Sequence, residues 1–163
     1  MYLLLKLKES AVVVYFDFDN FKPFNDKYGF ELGDRIINSF ADILKGKQSG
    51  YNMFIAHIGG DDFFCCIKEP FDTAISIIKD IIKTFTLNAR KLYSKEDREN
   101  NFVILKDREG NEKKFPLLSV SAAVVNITPN SKTTSYVELT KIIASIKKAS
   151  KISKNKLSVT SLL

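Results

Sequence analysis

The amino-acid sequence predicts an α+β domain, built as a central, mostly antiparallel sheet with helices packed on it. Three observations carry that expectation. The run AVVVYF, Ala11 to Phe16, is continuously apolar and rich in β-branched residues, the pattern of a strand buried on both faces. Helical stripes alternate with pairs of short strands rather than with single strands, which disfavours a doubly wound parallel sheet. The chain has 163 residues, 45% of them hydrophobic, enough for one core and short for several. A ferredoxin-like or palm-type architecture fits these better than a Rossmann fold.

The elements follow in order. After the first strand, Leu32, Ile36, Ile37, Phe40, Ile43 and Leu44 recur at helical spacing, and Gly46 closes that helix. Two apolar runs, Met53 to Ile58 and Phe63 to Ile67, flank Gly59-Gly60-Asp61-Asp62 and read as a β-hairpin. Phe71, Ala74, Ile75, Ile78, Ile81, Ile82 and Phe85 mark a second amphipathic helix. Asn88 to Asn101 is polar and charged, an irregular or partly helical insertion. Phe102 to Lys106 and Lys114 to Ile127 flank a turn at Asp107-Arg108-Glu109-Gly110-Asn111. A loop starts at Pro129-Asn130-Ser131, and Leu139, Ile142, Ile143, Ile146 and Ala149 form a third helical stripe. Leu157 to Leu162 reads as a last, edge strand.

Composition narrows the function. No run approaches the roughly 18 apolar residues that span a bilayer, and the opening MYLLLKLK is too short and too soon charged for a signal peptide. The expectation is a cytoplasmic domain without membrane contact. Cys65 and Cys66 are adjacent, so a strand sends them to opposite faces; with no second pair they build neither a metal cage nor a disulfide framework. From Lys132 to Lys156 there are seven lysines and one acid, Glu138, which accounts for the entire net charge of +6. That helix is either a solvated face or a phosphate-facing patch. Basic charge without interleaved aromatics is a poor signal for nucleic acid.

Acids stand where they are physically expensive. Asp17 and Asp19 end the buried strand, and Asp61 and Asp62 occupy a hairpin tip between apolar strands. Either pair alone could sit harmlessly at a surface. Both in one small domain suggest carboxylates that repel and resist ionisation unless a cation neutralises them. Oxygen ligands with a single histidine select Mg2+ or Mn2+ over zinc. Phosphoryl or nucleotidyl transfer is the chemistry this suggests. Neither a G-x-x-x-x-G-K-[ST] loop nor a G-x-G-x-x-G fingerprint is present.

These residues resemble a family. DFDNFKPFNDKYGFELGD, Asp17 to Asp34, is similar to the D-x-D-x-F-K-x-x-N-D-x-x-G-x-x-x-G-D segment of GGDEF domains, and GGDDF, Gly59 to Phe63, resembles the signature that names them. LLSVSAAVV (Leu117 to Val125) is similar to the family's following strand, and KASKISKNK to its basic helix end. The resemblance implies a nucleotide-cyclase-like palm and diguanylate cyclase activity, the condensation of two GTP molecules into cyclic di-GMP by a homodimer that holds them face to face. It implies Asp17, the Phe18 carbonyl and Asp61 as metal ligands, and Asp62 supporting the metals or the attacking 3′-hydroxyl. Asn25 and Asp34 would read the guanine edge, Phe21 and Lys22 would follow the phosphates, and Lys154 aligns with a C-terminal phosphate-binding position.

The departures from the family pattern bear on activity. Asp62 stands for the usual Glu, Phe30 for a His, His57 for an Arg before the signature, and Ser150 for the phosphate-binding Lys. The R-x-x-D of product inhibition is replaced by GYNM at Gly50 to Met53. The usual L-T-x-L-x-N-R stretch is missing, which suggests that residues 1–163 are a single domain cut from a longer protein with an attached sensory or phosphodiesterase module. The Leu87 to Phe115 segment exceeds the compact family loop. Three readings stay open: an active cyclase, a degenerate domain that binds GTP and regulates its neighbour, and the palm of a polymerase or CRISPR effector. The last is disfavoured by a chain too short for fingers and thumb.

Overall fold

In the computed structural model, which describes residues 10–106, 109–129, 131 and 135–162, the run AVVVYF lies at the centre of the sheet. Strand β1 (Ala11–Asp19) is flanked by β3 (Asp62–Ile67) and β6 (Ser119–Ile127), both antiparallel to it. The hairpin partner β2 (Met53–Gly59) lies outside β3, and β7 (Leu157–Leu162) closes the other edge, parallel to β6. The order is therefore β2-β3-β1-β6-β7, mostly antiparallel as expected. A second, two-stranded sheet pairs β4 (Phe102–Lys106) with β5 (Glu112–Pro116). Of the turn expected between those strands, Asp107 and Arg108 lie outside the described residues, as do Asn130, Lys132 and the opening MYLLLKLK.

Five helices are described: α1 (Phe21–Tyr28), α2 (Phe30–Gln48), α3 (Phe71–Arg90), α4 (Lys95–Asn100) and α5 (Tyr136–Ile152). Alternation along β1 explains why its run is apolar throughout. Val12, Val14, Phe16 and Phe18 enter the core built with α2 and α3, among Ile36, Phe40, Leu44, Ile78, Ile81 and Phe85. Ala11 and Val13 point the other way, with Leu139 and Ile143 of α5. Cys65 and Cys66 divide between the same two cores, and burial pushes the Cys65 thiol up to about 12.

Three elements differ from the sequence reading. The segment after Asp19 is helical from Phe21, because Asn20 turns the chain with φ 63° and sets Phe21 and Lys22 at a helix start. The second amphipathic helix runs past Phe85 to Arg90. Lys114 to Ile127 is two strands in two sheets, β5 and β6, broken at Leu117-Leu118.

The polar insertion is pinned to α1. Ser94 caps α4 by accepting from the Asp97 amide. The buried Asp97 carboxylate accepts from Lys27 Nζ at 3.0 Å and from the Tyr28 hydroxyl. Burial opposes the charge of Asp97, but the hydrogen bonds from Tyr28 and Lys27 outweigh it and hold its carboxyl below the usual range.

Candidate active site

Strand register brings the expected acids together. Asp17 pairs directly with Asp62 across β1 and β3, and alternation sends both side chains to the face covered by α5. Asp62 opens β3 and Asp17 makes the last β1–β3 pair, beside the tip where Gly59 (φ 150°) and Gly60 (φ 54°) adopt backbone conformations that a Cβ disfavours. His57, at the position where the family has Arg, braces this tip: its Nε2 lies 2.8 Å from the Gly60 carbonyl, and its ring stacks on Phe63 at 4.3 Å. Phe18 lies one residue beyond the last β1–β3 pair. Its ring is anchored among Phe21, Phe40, Phe63 and Phe85.

The cluster is dominated by amines of the lysine-rich C-terminal segment, which face its carboxylates. Lys147 Nζ lies 2.9 Å from Asp17 Oδ2 and 3.1 Å from Asp62 Oδ1, and Lys151 Nζ lies 2.8 Å from Asp17 Oδ2. Burial works against the Lys147 charge, yet hydrogen bonds to Asp17 and Asp62 outweigh it and raise its pKa. Burial pushes the neighbouring Tyr15 hydroxyl up to about 12, with the carboxylates of Asp62 and Asp17 adding to the effect. At Asp61 burial again leads: it raises the carboxyl, and Asp17 and Asp62 reinforce it, partly offset by Lys151. Asp61 is therefore coupled to the other two acids.

Asp19, two residues on, is a different case. Its carboxylate accepts from Ser119 at 2.9 Å and Ser121 at 3.2 Å, with Lys156 Nζ at 3.3 Å. A buried carboxylate with this many donors is a satisfied structural group. Lys154 is exposed in the turn after α5, so the amines reaching the acids are Lys147, Lys151 and Lys156. Ser150 is buried, and its hydroxyl donates to the Lys147 carbonyl. The i, i+4 spacing of Lys147 and Lys151, and serines opposite Asp17 and Asp19, were the sequence signals for these partners.

The residues expected to read a base lie on α1 and α2. Asn25 Oδ1 is buried and has no hydrogen-bond partner among the described residues. Its side chain packs against Gly33, where an added Cβ would come within 2.1 Å of that oxygen. Asp34 follows Gly33 and is exposed within α2, which starts at Phe30, so Asp34 is not a helix cap. Phe30 is 78% exposed. Lys22 borders a groove of about 420 Å³ shared with Pro23, Asp26, Lys106, Lys113 and Phe115.

The oxygen donors of Asp17, Asp61 and Asp62 suit a hard divalent ion. Among the described residues, however, no three acidic, histidine or cysteine side chains converge tightly enough to hold an ion unaided. The set fits a cation that completes its shell with water and substrate oxygens, as Mg2+ commonly does.

A profile of the family described as "Diguanylate cyclase, GGDEF domain" matches residues 3–105. The diguanylate cyclase DgcS of Shewanella oneidensis is 31% identical over 80 residues, 49% of this chain and 27% of that protein. The probable diguanylate cyclase DgcF of Escherichia coli K12 is 33% identical over 95 residues, 55% of this chain and 30% of that protein. The matched segments thus span less than a third of these relatives. The active GGEEF domain of a diguanylate cyclase from Vibrio cholerae superposes with a TM-score of 0.64 at 18% identity, covering 96% of this chain and 86% of that one. No helix among the described residues is long and apolar enough to cross a membrane. Sequence profile and fold agree, and the chain belongs to the GGDEF domain family.

Proposed function

We propose that this domain is a diguanylate cyclase that joins two GTP molecules into cyclic di-GMP, releasing two pyrophosphates. The observation that carries this reading is the direct pairing of Asp17 with Asp62 beside Asp61, in a domain that also keeps at Asn25 a buried acceptor with no partner among the described residues. The Asp34 carboxylate would accept from guanine's ring N–H and exocyclic amine, and the Asn25 amide would meet the remaining edge. Adenine sets a ring acceptor against the carboxylate, which leaves polar groups unpaired and costs affinity. Phe21 and Lys22 lie at the start of α1, where first-turn N–H groups suit phosphate. Lys22 adds charge, and Lys154 supplies a further amine from its exposed turn.

Asp17, the Phe18 carbonyl and Asp61 would hold Mg2+ or Mn2+, which when bound neutralises the triphosphate and lowers the pKa of an attacking hydroxyl. Asp62 orients the 3′-hydroxyl of one GTP and takes up its proton. The hydroxyl oxygen forms a bond to the α-phosphorus of the other GTP as the bond to pyrophosphate breaks. One site per chain makes a homodimer the working unit. Because the chain matches under a third of its relatives' length, a sensory or phosphodiesterase module attached to this domain is the expected source of control, in the cytoplasm where GTP is available.

A second reading has its own observation. Asp62 is one methylene shorter than the usual Glu, and two ammonium groups already contact Asp17, as suits a domain that binds GTP and regulates a neighbour without turnover. Fusing the chain to a constitutive dimeric coiled coil and incubating it with GTP and Mn2+ separates the readings. Cyclic di-GMP detected by mass spectrometry is the expected result. Tight GTP binding without product would favour the regulatory reading, and template-dependent extension would favour a polymerase palm.

A further inference from the structure

The acidic cluster contains a cation of the chain's own. One ammonium, that of Lys147, bridges Asp17 Oδ2 at 2.9 Å and Asp62 Oδ1 at 3.1 Å, two carboxylates that face one another in the β1–β3 register. The lysine is seated and not merely adjacent. Its ammonium lies 4.6 Å from the Tyr15 ring centre, and its side chain borders an apolar groove with Ile143 and Ala144. The side chain is 29% exposed, against 7% for Asp17. Lys151 is more open, at 42%, and reaches Asp17 alone.

We propose that Lys147 is the resident cation of this cluster and sets the concentration at which a divalent ion reaches Asp17, beside Asp62. The inference rests on the nucleotide-site reading above and adds a residue to it. A hard ion binds carboxylate oxygen at roughly 2.0–2.1 Å, and so uses the same lone pairs that the ammonium engages. A divalent charge and an ammonium a few ångströms apart also repel strongly where water is partly excluded. Entry of the ion therefore requires Lys147 to withdraw from two carboxylates. An exposed lysine would yield at almost no cost, whereas this one gives up a desolvated bridge and its seat over Tyr15. A triphosphate offers the withdrawn ammonium new oxygens, so nucleotide and divalent ion each strengthen binding of the other.

The test is a Mn2+ titration of the full chain without nucleotide, following free Mn2+ by electron paramagnetic resonance. Lys147→Met keeps the apolar stem and removes the charge, and it is expected to bind Mn2+ about tenfold more tightly than the parent. Lys147→Arg retains the charge and is expected to bind Mn2+ less tightly than Lys147→Met. Lys147→Gln serves under the same criterion should Lys147→Met fail to fold. A neutral variant that binds Mn2+ no tighter than the parent overturns the proposal. GTP binding, measured separately, keeps the two claims apart. A parent that binds GTP beside an unchanged Lys147→Met titration overturns only the role of Lys147. A gain in Mn2+ affinity with no GTP binding supports Lys147 and removes the nucleotide reading.

Discussion

The two faces of the five-stranded sheet are built on opposite principles. Toward α2 and α3 the sheet presents a phenylalanine core, in which Phe40 packs edge-on against Phe16, Phe18, Phe63 and Phe85, with no charged side chain among them. Toward α5 the apolar core is smaller. It gives way at one end to the carboxylates of Asp17, Asp19 and Asp62 and the amines that hold them, and on the β2 side to an open groove of about 520 Å³ bordered by the exposed Phe54 and Ile58. One face supplies stability by burial; the other retains groups whose charges need partners. Strand β1 joins them, since alternate residues of a single strand serve the core and the site.

Breaking the first face should cost the most. Phe40→Ala removes a fully buried ring and is expected to lower folding stability by about 3–5 kcal/mol, measured by urea denaturation. A loss below about 1 kcal/mol would mean that this face is not the main source of stability. Gly33→Ala probes the end proposed to read the base. The new Cβ displaces the Asn25 side chain, so GTP affinity should fall about tenfold, while stability changes little because alanine favours the helix by about 1 kcal/mol. Calorimetric titration and thermal melting separate the two effects.

The smallest effect sharpens the second face. Burial and the nearby Asp17 and Asp62 raise the Asp61 carboxyl above its ordinary 3.8. A raised folded-state value favours folding while the group is protonated, and that contribution is lost as pH rises through the folded pKa. Ionised Asp61 therefore opposes folding at neutral pH. Asp61→Asn should melt up to about 2 °C higher at pH 7 without metal, and the gain should vanish as pH falls toward 3.8. Opposite behaviour would show that the backbone hydrogen bond and Lys151, which favour the ionised form, outweigh burial at Asp61.

How much of this was legible in the sequence follows from the range of the interactions involved. AVVVYF announced a strand buried on both faces, and Gly59-Gly60 announced the hairpin that sets Asp62 opposite Asp17. Both are local patterns. Helix α1 leaves no periodicity in the sequence, because it has eight residues, begins after a left-handed Asn20 and carries Pro23 in its first turn. The lysine excess was visible, but which amine reaches which acid depends on how α5 lies across the sheet, and Lys147 reaches Asp62 over 85 residues of sequence. The Asn25 and Asp34 pair was found through family likeness, since a lone Asn and Asp carry no chemical signal. That the Asn25 acceptor is buried with no partner among the described residues only the folded chain could reveal.

GTP affinity measured with and without Mg2+ decides whether Asp17 anchors a divalent cation beneath a bound triphosphate. The parent chain should bind GTP more tightly with Mg2+ than without, and Asp17→Ala should lose that increment while remaining folded. An Asp17→Ala chain that binds GTP and Mg2+ as well as the parent would rule out this role for Asp17.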